Sequence, residues 1–337
     1  MKILVIDHLF HKKTKSSDFF FNILHEFAWI DIEYIDTEVN LYDQLSNLSY
    51  TSYDRIIFWQ IMPPKDIIPL LPYSKTILIP MYDACCTWTY KKWYDYRLFR
   101  FISFCLKIHK ILIDLGIQSI YVKYAPDVKQ PEGLERHNDL TAFIWRRTDN
   151  LKLQEIVRMF KRNGVYNIVC HGFSEDQKIQ EEGVNIIYTR GWFKTHEEYL
   201  ESVSKCHYFF APRLYEGIGM GFLESMGLGL CVISPNQATM NEYIKDKENG
   251  YLFDSLRSFV FNTKLQPIVS QNAMSTYNEV KSNWENDKQN IIKFISNESS
   301  RPNFQIRYSK FVIRDIILLY NYRLKYFIKR KLNLLYY

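Results

Sequence analysis

Residues 215–227 read YEGIGMGFLESMG. Glu216 and Glu224 stand eight positions apart, with Gly217, Gly219 and Gly221 between them. The whole chain has only 12 glycines in 337 residues, so this cluster marks a backbone under special demand. Just upstream, HYFFAP (207–212) has strand composition; from Gly221 onward GFLESMGLG has helical composition. The glycines therefore fall at a strand-to-helix turn, at the carboxyl edge of a parallel sheet, where open α/β sheets bind ligands. A helix start presents unpaired N–H groups and the positive end of a dipole. Glycine lets a phosphate come close to that backbone. Two acids repel phosphate, but they accept hydrogen bonds from hydroxyls. A ligand with a diphosphate in its middle and a sugar at each end, a nucleotide-sugar, accounts for all five residues. The plainer alternative is that the glycines allow close helix–sheet packing and the glutamates face solvent.

The rest of the chain supports a sheet of this kind. KILVI (2–6), RIIFW (55–59), KTILIP (75–80), FISF (101–104) and IYVKYAP (120–126) read as buried strands. The first is followed by SSDFFFNILHEFAW (16–29), which has helical periodicity. A polar stretch, DVKQPEGLERHNDL (127–140), reads as a linker. The alternation then restarts with TAFIW (141–145), YNIVCH (166–171), VNIIYT (184–189), HYFFAP and LCVISP (230–235). Strands alternating with helices imply parallel sheets covered on both faces. The expected organisation is α/β: two doubly wound, Rossmann-like domains over 1–133 and 138–300, then a helical tail over 304–337.

Composition narrows the function. A net charge of +6 is mild and does not point to a nucleic-acid binder. The six cysteines form no CxxC pair, and Cys85 and Cys86 are adjacent, which fits neither a zinc site nor an ordinary disulfide framework. No His/Cys set has ligand spacing and no acidic cluster is suitably placed, so no metal and no cofactor are expected. MKILVID at the start is unlike a signal peptide, and no apolar run is long enough to span a bilayer. The expected location is the cytoplasm. The end of the tail, YRLKYFIKRKLNLLYY, is basic and aromatic with no acid after Asp315, which suits a helix on an anionic membrane surface at residues 323–337. Its alternative is a solvated or bridging helix packed on the protein.

At residues 215–253 the sequence resembles the donor-binding signature of family 4 retaining glycosyltransferases, the glycosyl transferases group 1, which have the GT-B fold. Their pattern is an acid, seven residues, a second acid, a small-residue helix, a strand, a turn, an acid and a late Asn-Gly. Glu216, Glu224, Gly227, Gly229, Pro235, Glu242 and Asn249–Gly250 fit it in order. Upstream, WRRTDNLK (145–152) resembles the family's basic pair, as Arg147 and Lys152, and residues 189–212 resemble the segment before the acidic motif. IPMYDA (79–84) resembles an acceptor-side loop usually written His-Asp, and 102–127 resembles the end of the amino-terminal domain.

The resemblance implies two domains facing a cleft and transfer of a hexose from a nucleotide-sugar, UDP- or GDP-linked, to a glycan acceptor. It assigns the donor site to Arg147, Lys152, Arg190, Gly191 and Glu216, then to the run Gly217, Ile218, Gly219, Met220, Gly221, Phe222, Leu223 and Glu224. Glu216 would meet hydroxyls of the transferred sugar and Glu224 the ribose. Arg147 and Lys152 would carry the charge of the leaving diphosphate, and losing one such donor costs about 3 kcal/mol of barrier. Asp83 is the candidate acceptor-side carboxylate, or else a turn former. With the basic tail, the acceptor is expected to be a lipid-linked glycan at the inner face of the membrane, in polysaccharide assembly.

Two departures stand out. Tyr82 precedes Asp83 where the family has His. The first loop, HLFHKKTKSSDFF (8–20), has Ser16 and Ser17 in place of a glycine pair, beside Lys12, Lys13 and Lys15. They keep open a catalytically inactive, nucleotide-binding module. A dinucleotide-dependent oxidoreductase is the other alternative, but KILVID is not followed by GxGxxG and GIGMG has the wrong spacing.

Overall fold

The structure is a computed structural model that describes residues 1–146, 151–189, 191, 193–211 and 213–297. It divides into two compact units. The first comprises Met1–Ser103, Lys107–Tyr121 and, among the described residues, 288–297; the second comprises Phe104–Leu106 and Val122–Asp287. The tail, including residues 323–337, lies outside the described residues.

The first unit is built on six parallel strands: β1 (Lys2–His8), β2 (Trp29–Ile35), β3 (Arg55–Trp59), β4 (Thr76–Ile79), β5 (Arg100–Ser103) and β6 (Ser119–Tyr121). Their order across the sheet is β2-β1-β3-β4-β5-β6. Every residue of β3, β4 and β5 is buried, as a parallel sheet covered on both faces requires. The edge strand β2 corrects the sequence reading. The expected helix over 16–29 ends at His25, and Trp29 opens a strand. WIDIEYI alternates as a half-wet edge strand does, but the aromatic helical pattern before it runs into its first residue.

The second unit repeats the plan with β7 (Thr141–Trp145), β8 (Asn167–His171), β9 (Asn185–Thr189), β10 (Tyr208–Phe210), β11 (Cys231–Pro235) and β12 (Tyr251–Phe253). Their order is β12-β11-β10-β7-β8-β9, and every pair is parallel. Val157, Phe160, Tyr208, Phe210 and Ile233 form part of the core on one face. β12, three residues long, has no periodicity that a sequence could show. β6 ends at Tyr121, so residues 122–126 of the expected strand over 120–126 lie outside the sheet. Strands β8 and β9 lead away from β7 on one side, while β10, β11 and β12 lead away on the other. The chain thus reverses its direction of travel between β7 and β10, and the carboxyl ends there flank a crevice.

A helix of 31 residues, Gln266–Ser296, ends in the first unit. The last carbonyls of a helix lack intrahelical partners. Two buried arginines supply them. Arg55 Nε donates to the Ile295 carbonyl at 2.7 Å and Nη2 to that of Ser296 at 2.9 Å. Arg100 Nη1 donates to the Asn297 carbonyl at 2.9 Å and Nη2 to that of Phe294. Cations at this end also complement the helix dipole. Burial, with Arg55 nearby, lowers the Arg100 guanidinium to about 10.

Candidate functional site

The strand order reverses between β7 and β10, and the loop that leaves β10 stands at that carboxyl edge. After β10 the loop through Glu216 feeds helix Met220–Gly227. Gly219 caps that helix in the left-handed region, φ 79° and ψ 47°, and a Cβ there would lie 2.1 Å from the Phe222 ring. Glycine is therefore required at 219 on two counts. Gly221 has a different reason. A Cβ there would meet the Tyr199 hydroxyl at 3.3 Å and the Phe209 ring at 3.4 Å, so this glycine serves close packing. The N–H groups of Met220 and Gly221 have no partner among the described residues. They form the helix start that an anion would meet.

The glutamates are not solvated surface residues. Glu216 is mostly buried, with Oε2 at 3.4 Å from Arg213 Nη1. Its loop is tied to the loop after β11, because Thr239 Oγ1 donates to the Glu216 carbonyl at 2.9 Å. Thr239 is buried at φ 74°, a strained setting for a branched residue, and Glu242 braces it by accepting the Thr239 N–H at 3.1 Å. The other Glu242 oxygen accepts the Leu106 N–H at 2.8 Å. Asn249 is likewise internal: its amide donates to the Tyr243 carbonyl and to Thr276, and it accepts the Lys245 N–H. These two signature residues hold the scaffold. Glu224 stands one turn into the helix with its side chain 6% exposed, and its Oε1 lies 3.2 Å from His196 Nε2. That bond raises the His196 imidazole above the usual histidine value.

On the β7 side, Lys152 is exposed and immediately precedes helix Leu153–Arg162. Arg147 and Arg190 lie outside the described residues. Gly191 has φ 78°, and nothing stands within 4 Å of where a Cβ would be. Beside it the ends of β7 and β8 carry an aromatic cluster that sequence reading did not single out. His171 stacks on Phe193 at 4.2 Å, and Trp145 lies 4.9 Å from Tyr199 and 5.6 Å from His171. Burial lowers the His171 value, and its Nδ1 is bonded to Thr189 Oγ1 at 2.8 Å. The signal in the sequence was an aromatic residue at the end of a buried strand.

Asp83 stands in the first unit, after β4, in the short helix Tyr82–Cys85. Its Oδ1 accepts the Ala84 N–H at 3.1 Å. Tyr82 is buried and its hydroxyl accepts from Lys107 Nζ at 2.8 Å, so a fixed hydrogen bond occupies the position where the family has His. The aromatic stretch at Trp88–Tyr96 packs on itself: Trp88 lies 4.9 Å from Trp93, and Lys92 Nζ covers its ring at 3.9 Å. Among the described residues no three His, Cys, Asp or Glu side chains converge as a metal set. Among the described residues, too, no helix is long and apolar enough to cross a membrane.

Two six-strand parallel sheets, each with its helices, are the architecture of the GT-B fold, and comparison with known proteins agrees. Residues 172–287 match the family of glycosyl transferases group 1. Among curated proteins, none matches the sequence. Among solved structures, the chain resembles the sucrose-phosphate synthase of Thermosynechococcus elongatus, with a TM-score of 0.62 and 10% identity over 87% of this chain and 98% of that one. It also resembles HepE of Anabaena in complex with UDP and glucose, with a TM-score of 0.58 and 12% identity over 87% of this chain and 100% of that one. A third is the lipopolysaccharide outer core galactosyltransferase WaaB, with a TM-score of 0.50 and 14% identity over 86% of this chain and 100% of that one. At such identities the likeness is one of fold.

Proposed function

We propose that this chain is a retaining, nucleotide-sugar-dependent glycosyltransferase that moves a hexose to a glycan acceptor. One observation carries the reading: Glu216 and Glu224 flank an open helix start at the strand-order reversal of the second sheet, inside the segment that matches the glycosyl transferases group 1. The donor diphosphate lies against the N–H groups of Met220 and Gly221, where the helix end and Lys152 offset its charge. Arg147 joins them by the resemblance. Negative charge builds on the diphosphate as the anomeric bond breaks, and groups already in place stabilise it most effectively. Glu216 holds hydroxyls of the transferred sugar and Glu224 those of the ribose. Attack comes from the face of the leaving group, whose phosphate takes the acceptor proton, and Asp83 orients the acceptor. No step in this scheme calls on a metal ion. UDP is the favoured nucleotide, since HepE was captured with UDP and glucose. WaaB, a lipopolysaccharide core enzyme, supports a lipid-linked acceptor on the cytoplasmic face, reached through residues 323–337.

A thermal-shift panel with UDP, GDP, ADP, dTDP, CMP and NAD, with EDTA present, tests the donor site. A ligand at about 100 times its dissociation constant adds about 2.7 kcal/mol, a shift of a few degrees. One nucleoside diphosphate should shift the melting point, and Lys152→Ala should remove most of the shift. A shift with NAD alone overturns the reading. Glu216→Gln should abolish transfer while the nucleotide shift persists. Persistent transfer there would remove Glu216 from the mechanism.

A further inference from the structure

We propose that His196 is the positioning residue for the Glu224 carboxylate, fixing one oxygen so that the other is presented to a ribose hydroxyl of the donor. This rests on the function proposed above. Burying a carboxylate costs several kcal/mol unless it is paired. Glu224 is nearly fully buried, and among the described residues His196 is its ion-pair partner. The two oxygens differ. Oε1 is held by His196 Nε2 at 3.2 Å. Among the described residues Oε2 makes no ion pair or hydrogen bond, and the Glu224 side chain keeps 6% exposure. A carboxylate with one oxygen fixed and the other unpaired is a preorganised acceptor for a hydroxyl.

His196 is half-exposed but stands on a capped helix. It is the first residue of helix His196–Ser204, whose cap Thr195 accepts the Glu198 N–H at 3.2 Å. Its ring packs 5.7 Å from that of Tyr199. A carboxylate only accepts hydrogen bonds, so an imidazole that keeps this contact when neutral carries its hydrogen on Nε2. The pair therefore survives deprotonation as a geometry, while the positive charge is lost. Other groups around the pair are Glu197 beside His196, with Lys129 near it, and Tyr124 and Tyr277, whose hydroxyls feel the Glu224 charge. Above the His196 value the buried negative charge is less compensated, and an anionic donor binds more weakly. Two segments thus cooperate: the helix behind Gly219 carries the acceptor group, and the helix after Gly191 aims it.

Titration calorimetry on the full chain tests this, with UDP and its 2′-deoxy and 3′-deoxy forms at pH 7 and pH 9, the pH response being read as the difference between wild type and variant because UDP itself titrates at its terminal phosphate and its uracil N3–H. The wild-type chain should bind at least one deoxy form roughly tenfold more weakly than UDP, the worth of one hydrogen bond to a charged acceptor. His196→Ala should shrink that preference to about threefold or less. His196→Gln, which can donate to the same oxygen, should restore most of it and lose the weakening at pH 9. If His196→Ala keeps the wild-type preference, the positioning role falls and the donor site stands. If the alanine variant does not fold, the glutamine variant decides: an unchanged pH response sinks the proposal. If the wild-type chain binds neither UDP nor, in the same format, GDP, the functional reading itself fails and takes the proposal with it.

Discussion

The two sheets carry equivalent crevices and line them in opposite ways. The first sheet reverses strand order between β1 and β3, the second between β7 and β10. In the first unit the loop after β1 is closed by side chains. Asp7, fully buried, accepts from the His8 N–H at 2.7 Å, from His11 Nδ1 at 2.6 Å and from Ser17 Oγ at 2.7 Å. In the second unit the loop after β10 reaches its helix through Gly219 and leaves backbone N–H groups bare. Topology supplies a crevice in both. Residue choice decides whether backbone or side chains face it. The contrast also accounts for Ser17 where the resemblance expects glycine: its hydroxyl is part of the Asp7 network, and the left-handed position of the loop falls on Lys15 at φ 57°. Lys12, Lys13 and Lys15 are exposed on that loop, and Lys12 Nζ lies 5.7 Å from the Tyr34 ring centroid.

Substitutions can break the contrast. Asp7→Ala strands three donors and opens a hole in the first unit. Removing one partner of a buried charged network costs about 3–5 kcal/mol, and urea unfolding should show it with nucleotide affinity retained by whatever fraction stays folded. A loss under about 1 kcal/mol would mean the loop does not depend on the network. Gly219→Ala should cost about 1–3 kcal/mol through strain at positive φ, and more because Phe222 must move. It should also remove the nucleotide-dependent thermal shift. Gly191→Ala sharpens the point: the same sign of φ but open space, so about 1 kcal/mol of strain alone.

The smallest effect is a pH dependence. His196 is raised in the folded chain by its bond to Glu224. Its contribution is fully present below the unfolded value of about 6.5 and is lost as pH rises through the raised folded value. Half-exposure keeps it under about 1 kcal/mol. Unfolding midpoints should fall over that window in the wild-type chain and stay flatter in His196→Gln.

Much of this was legible from residue order. β3, β4, β5, β7 and β8 are apolar runs because both faces of each sheet are covered, and that demand leaves its mark in every residue. The turn at Gly219 was legible because a left-handed cap and a bare helix start are local requirements written in neighbouring residues. The partnerships were not. Glu224 finds His196 across 28 positions, Asp7 finds Ser17 across ten, and Arg55 finds the end of a helix 240 residues away. Such pairs leave no periodicity, because a hydrogen bond constrains two side chains in space and nothing in between. The edge strand β2 and the three-residue β12 were hidden for a related reason: their identity comes from the strand they pair with. Local chemistry named the elements and pointed to the ligand class of the proposed function. Packing alone determined which polar groups each acid would meet, since only the folded chain brings them within 3 Å or so of one another.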